Sequence, residues 1–184
     1  MAMNIGVSTL LHEKEHIVTA ATKIAKSGRK TIELFCKLRG FYPGEVTDET
    51  FHALASLKEN YGLTYSIHPP CDGLNPASSD PSERARVVKV YIGTMALANR
   101  LGIKNMVVHS GFKSNPGVST SATWNFAVET LQAVGKAAEE AGIVMLLENT
   151  CWGDTSFLAT PLDLVALADL CPPSTKLLLD AGHA

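Results

Sequence analysis

Two rhythms of hydrophobic and polar positions alternate along this chain. Short, nearly continuous apolar runs fall at Asn4–Ser8 (NIGVS), Thr31–Cys36 (TIELFC) and Leu63–His68 (LTYSIH), then at Lys104–His109 (KNMVVH), Ile143–Glu148 (IVMLLE) and Lys176–Asp180 (KLLLD). Runs of this length and composition predict strands covered on both faces. Longer stretches of mixed polarity separate them and predict helices. His12–Ser27 is stopped by Gly28, and a helix capped by Thr47, with Asp48 and Glu49 in its first turn, runs to Gly62. Carboxylates there suit the positive end of the helix dipole. Asp80-Pro81-Ser82-Glu83 opens a helix that ends at Gly102, Ser121–Ala141 is closed by Gly142, and Thr160-Pro161-Leu162-Asp163 opens a helix through Leu170. A polar cap, Pro at the first helical position and an acid in the first turn form a strong start signal.

Strand and helix thus alternate through six strands, which predicts an α/β protein with a parallel sheet under helices. An open doubly wound sheet and a closed barrel both fit that order. The polar residues recurring at strand ends favour a barrel, because a closed ring gathers all strand ends around one axis. A (β/α)8 TIM barrel takes about 250 residues, and this chain has 184. The expectation is an incomplete barrel: a single partial domain over residues 1–184, with about six of eight units and without the last two.

Composition narrows the function little. Hydrophobic residues make up 46% and charged residues 18%, with a net charge of −2. A protein built to grip nucleic acid carries a basic surplus, so the balance lowers that reading without removing a local basic patch. No apolar segment approaches the ~20 residues of a membrane span, and the N-terminus lacks a signal-peptide pattern. Cys36, Cys71, Cys151 and Cys171 form no CxxC pair. Reduced thiols in a cytoplasm are the expected reading, and Cys71 and Cys151, just beyond predicted strand ends, read as small half-buried filler rather than as parts of a site. No phosphate-binding glycine motif occurs.

The candidate chemistry lies at the ends of the apolar runs. His68, His109, Glu148 and Asp180 each end a predicted strand, and His183 follows Asp180 in a D-x-x-H arrangement. C-terminal strand ends of parallel α/β proteins share one face. Neutral imidazoles and carboxylates gathered there would hold a divalent metal such as Zn²⁺, Mn²⁺ or Mg²⁺. Burying Glu148 behind Val144–Leu147 is costly unless a partner or cation compensates, and no Lys or Arg stands at the C-terminal end of a predicted strand. Glu33, inside the second strand, either meets a ligand or substrate at the barrel mouth or pairs with a lysine. His12-Glu13-Lys14-Glu15-His16 matches the zinc-protease signature H-E-x-x-H. Its charged setting at a predicted helix start reads instead as a solvated face.

The segments Ile67-His68-Pro69-Pro70, LNPASSDPSERARVVK, NMVVHSG, LLENT and LLLDAGHA resemble the xylose isomerase-like TIM barrels, which include endonuclease IV and the sugar isomerases and epimerases. The resemblance extends from the first strand to the last residue. In the endonuclease IV branch (AP endonuclease family 2), positions matching His68, His109 and Glu148 hold one zinc. Those matching Glu148 and Asp180 help hold a second, and the one matching His183 serves a third. In the isomerase and epimerase branch, Glu148 and Asp180 match ligands of one Mn²⁺, Mg²⁺ or similar ion, and His183 matches a substrate contact. The remaining family ligands would lie beyond Ala184.

The resemblance therefore implies a metal-dependent sugar or sugar-phosphate isomerase or epimerase, with Glu148 and His183 catalytic and His183 binding the substrate; Glu33 joins the substrate site from its place in the second strand. The alternatives are a zinc phosphodiesterase acting at abasic sites in DNA, and an inactive metal-binding barrel fragment. Open sheet edges after the sixth strand would favour self-association.

Overall fold

The computed structural model describes residues 5–150, 155, 157, 158 and 160–183. Six parallel strands form one sheet in the order β1-β2-β3-β4-β5-β6. They are β1 (Gly6–Ser8), β2 (Thr31–Phe35), β3 (Thr64–His68), β4 (Asn105–His109), β5 (Val144–Glu148) and β6 (Lys176–Leu178). The helices between them are α1 (Ile17–Lys26), α2 (Asp48–Tyr61), α3 (Pro81–Arg100), α4 (Thr120–Glu140) and α5 (Pro161–Asp169). Sequence order and spatial order coincide, as the strand-helix alternation predicts, and as the barrel topology requires. No helix of the described residues is long and apolar enough to cross a membrane.

The chain divides into two compact units, Met1–Pro70 with Gly93–Met106, and Cys71–Ile92 with Val107–Ala184. In the first, the register aligns Val7 with Ile32 and Tyr65, and Ser8 with Glu33 and Ser66. Side chains alternate across a strand, so Ile32, Leu34, Tyr65 and Ile67 share the buried helix-facing side. Glu33, Phe35, Ser66 and His68 share the other. Helix α1 buries Ile17, Ala20, Ala21, Ile24 and Ala25, the stripe expected of one helical face.

In the second unit, Met145 and Leu147 of β5 are fully buried. Helix α4 buries Ala127, Leu131, Val134 and Ala138. A Cβ on Gly135 would come within 2.6 Å of the Pro172 ring, so only glycine permits this approach of α4 to the turn before β6. Helix α5 opens with the expected capping box, in which Thr160 and Asp163 satisfy each other's main-chain N–H. At α3, Asp80 Oδ1 accepts from Ser82 N at 2.8 Å.

Three element limits differ from expectation by more than one residue. Helix α1 begins at Ile17, not His12. Residues Thr9–His12 form a 3-10 turn, and His16 Nδ1 accepts from Val18 N at 3.4 Å as the α1 cap. Strand β6 stops at Leu178, because a side chain rather than a strand partner holds the main chain of Asp180. Strand β1 begins at Gly6, and Asn4 lies outside the described residues.

Candidate metal centre

Strand β4 delivers His109 to its C-terminal end, after the buried Met106, Val107 and Val108. Strand β5 delivers Glu148 in the same way. His109 Nε2 and Glu148 Oε2 are 3.0 Å apart, with only 13% and 10% of the two side chains exposed. Glu148 is in register with Leu178 of β6, so the chain leaving β6 runs alongside the chain leaving β5.

That exit is held by Asn149. Its Oδ1 accepts from Asp180 N at 2.7 Å, and its Nδ2 donates to Asp180 O at 2.9 Å. Asp180 is followed by a 3-10 turn, Ala181–His183, in which Gly182 N donates to Asp180 Oδ1 at 2.6 Å. The turn brings His183 back, with Nδ1 3.0 Å from Asn149 O and 3.4 Å from Asp180 Oδ2. A carbonyl can only accept, so Nδ1 carries the proton and Nε2 the lone pair. Ligand atoms of Glu148, Asp180 and His183 all lie within 4.8 Å of one another.

The second unit therefore gathers four of the predicted residues, His109, Glu148, Asp180 and His183. His68 and Glu33 belong to the first. His68 ends β3 buried, its ring stacked on Phe35 at 4.1 Å and 17°. Its Nδ1 lies 2.8 Å from Pro69 O, which fixes the same tautomer as in His183. Glu33 is half-buried in β2 on the side of the sheet that carries His68.

Loops after the strand ends are stitched to one another. Asn75 is 1% exposed. Its Nδ2 donates to Phe112 O at 2.7 Å, and its Oδ1 accepts from Ala77 N and Phe112 N at 3.0 Å. This carboxamide joins the LNPASS loop to the loop after His109.

Asn149 and Asn75 were not singled out in the sequence. Each stood in a segment carrying the family resemblance, LLENT and LNPASS, but neither offers a charge or a metal-ligating nitrogen. The H-E-x-x-H match falls on two elements: His12 ends the 3-10 turn and His16 caps α1. Glu15 Oε1 instead receives Lys23 Nζ at 2.7 Å and lies 3.2 Å from His12 Nδ1, so the spacing that makes the motif work on one helix is absent. Among the thiols, burial raises Cys36 well above its ordinary value and Cys171 to about 11. Both stay protonated and inert, as filler would. Cys71 is half-buried, and Cys151 lies outside the described residues.

Comparison with known proteins places the fold. A family model described as "Xylose isomerase-like TIM barrel" matches residues 21–184. A "Probable endonuclease 4" of Oleidesulfovibrio alaskensis is 32% identical over 115 residues, covering 60% of this chain and 38% of that relative. The solved structure of a "D-tagatose 3-epimerase-like protein" superposes with a TM-score of 0.85 and 25% identity over 98% of this chain and 66% of that one. An "AP endonuclease, family 2" from Brucella melitensis superposes at 0.73 with 16% identity, over 99% of this chain and 70% of that one. At that identity the likeness shows the fold alone. The chain spans under two thirds of the curated relative it matches, and about two thirds of the first of these structures.

Proposed function

The chain belongs to the xylose isomerase-like TIM barrel family, and from that premise we propose that it is the metal-holding part of a sugar or sugar-phosphate isomerase or epimerase. The observation that carries this reading is the approach of Glu148 to His109 on one side, and to Asp180 and His183 on the other. Two ligands on a tetrahedral zinc with bonds of about 2.0–2.1 Å stand roughly 3.3 Å apart. On an octahedral ion with similar bonds, neighbours stand roughly 3.0 Å apart. The 3.0 Å between His109 Nε2 and Glu148 Oε2 is a hydrogen bond in the metal-free chain, and it leaves both atoms close enough to turn onto one ion. The donor set, imidazole nitrogen and carboxylate oxygen, fits Zn²⁺ or Mn²⁺.

His109, Glu148, Asp180 and His183 would hold the ion. His68 is proposed as a further ligand from the family resemblance alone, in which its position matches a zinc-binding histidine. Hydrogen bonding of its Nδ1 to a main-chain carbonyl orients the imidazole, as the outer partners of metal-binding histidines do. When bound, the ion supplies a positive centre that polarises a substrate carbonyl and hydroxyl.

The chain's own residues would do the rest. Glu148 takes a proton from the carbon beside the carbonyl. Inversion of that carbon would take a proton from a second acid on its opposite face, which Glu148 itself cannot reach. His183 and Glu33 would bind substrate hydroxyls. The 25% identity to the epimerase-like structure, over 98% of this chain, supports this reading. The 32%-identical stretch in the probable endonuclease 4 favours a second one, a zinc phosphodiesterase acting at abasic sites. There the positions matching His68, His109 and Glu148 would hold one zinc.

One experiment separates the two. The protein, supplied in turn with Mn²⁺ and Zn²⁺, is assayed for interconversion of ketohexoses and their phosphates and for incision of an abasic-site oligonucleotide. The proposal expects sugar turnover that Glu148→Gln abolishes. Incision lost in the same variant, without sugar turnover, supports the phosphodiesterase.

A further inference from the structure

We infer that Asn149 is a positioning residue, which sets Asp180 and His183 against Glu148 before any ion arrives. The inference rests on the metal-centre reading above and assigns it a residue that ligates nothing.

Regular pairing with β5 ends at Leu178. Asp180 lies two residues further on, and burial does little to fix it there. Leu177 is 47% exposed and Leu179 79%. Two largely exposed leucines contribute little of the ~25 cal/mol per Å² that holds an ordinary strand in place. The side chain of Asn149 takes over the role of strand partner. It meets both main-chain groups of Asp180, at 2.7 and 2.9 Å, and so holds the peptide groups on either side of that residue together.

The main chain of Asn149 fixes the second ligand. Its carbonyl accepts from His183 Nδ1 at 3.0 Å, which selects the tautomer whose Nε2 lone pair can reach an ion. Because Asn149 directly follows Glu148, one residue ties three candidate ligands to a single point of the backbone. Carboxamide geometry suits this, with one donor and one acceptor on the same planar group. Aspartate lacks the donor, serine lacks the reach, and glutamine would push Asp180 outward by one methylene.

The test is Asn149→Ala in the full chain, with two readouts. The first is amide hydrogen exchange in the metal-free protein. Asp180 should lose protection, while Met145 and Leu147 in β5 keep theirs. The second is Zn²⁺ affinity, by competition with a chromophoric chelator. It should weaken about tenfold or more, the usual cost of losing an outer orienting partner.

The inference is overturned if Asp180 keeps its protection, if protection falls throughout β5, or if the variant binds Zn²⁺ within twofold of a wild type that binds it. If the wild type takes up no Zn²⁺, the metal-centre reading fails. Loss of Asp180 protection alone then still shows that Asn149 positions it.

Discussion

The Nε2 atom of His109 lies 3.0 Å from the Oε2 atom of Glu148, at the ends of two strands and largely out of water. In the metal-free protein this contact is a hydrogen bond between an imidazole and a carboxylate. Paired groups this buried couple energetically. A double-mutant cycle of His109→Ala and Glu148→Ala, read by urea unfolding without metal, should give a coupling of about 1–3 kcal/mol. A coupling near zero would mean that the two side chains do not meet in solution.

Glu148 is only as well placed as the strand behind it. Leu147 is fully buried on the helix-facing side of β5. Leu147→Ala should cost about 2–5 kcal/mol by chemical denaturation, from lost burial and the cavity left behind. A cost under 1 kcal/mol would contradict the packing of α4 and α5 on this strand.

Gly111 follows the His109 strand end with a φ of +91°, and a Cβ there would come within 2.6 Å of Asn75 Oδ1 and 2.7 Å of Ala77 N. Gly111→Ala therefore combines backbone strain with a clash against main chain. It should lower the melting temperature by several degrees and disturb the same loops as Asn75→Ala. Removing that carboxamide leaves buried main-chain groups unsatisfied, at about 1–3 kcal/mol. Wild-type melting of both variants would refute the stitch between the loops.

Asp80 supplies a pH-dependent test. Its hydrogen bonds from the Ser82 hydroxyl and main-chain N–H hold its carboxyl below the ordinary 3.8. A folded value below the unfolded one means that the ionised cap favours folding. That contribution is complete above pH 3.8 and fades as pH falls through the lowered folded value. Thermal melts of wild type and Asp80→Ala should differ at pH 6 and converge below the folded value. A gap that persists unchanged into strong acid would contradict the assignment.

The strands and helices were legible because each reports through a local signal. The alternation of apolar runs gave six strands, Thr47, Asp80 and Thr160 announced helix starts, and the strand-end residues pointed to a common face. Glu148 was legible for an energetic reason: a carboxylate ending a run of four apolar residues needs compensation. The start of α1 was not legible. Capping by His16 depends on a histidine in an extended conformation, which no composition signal marks. Nor was the end of β6, because the partner of Asp180 is a side chain rather than a strand, and Asn149 carries no charge to draw notice. Asn75 was hidden likewise, since a carboxamide joining two loops has meaning only once both loops are in place.

The central claim is that Glu148 anchors a metal centre. Its most direct measurement is the zinc content of the metal-stripped protein after incubation with excess Zn²⁺ and desalting, wild type beside Glu148→Gln. The account predicts at least one ion retained per wild-type chain and almost none in a folded variant. Equal zinc in both proteins, or none in the wild type, would contradict it.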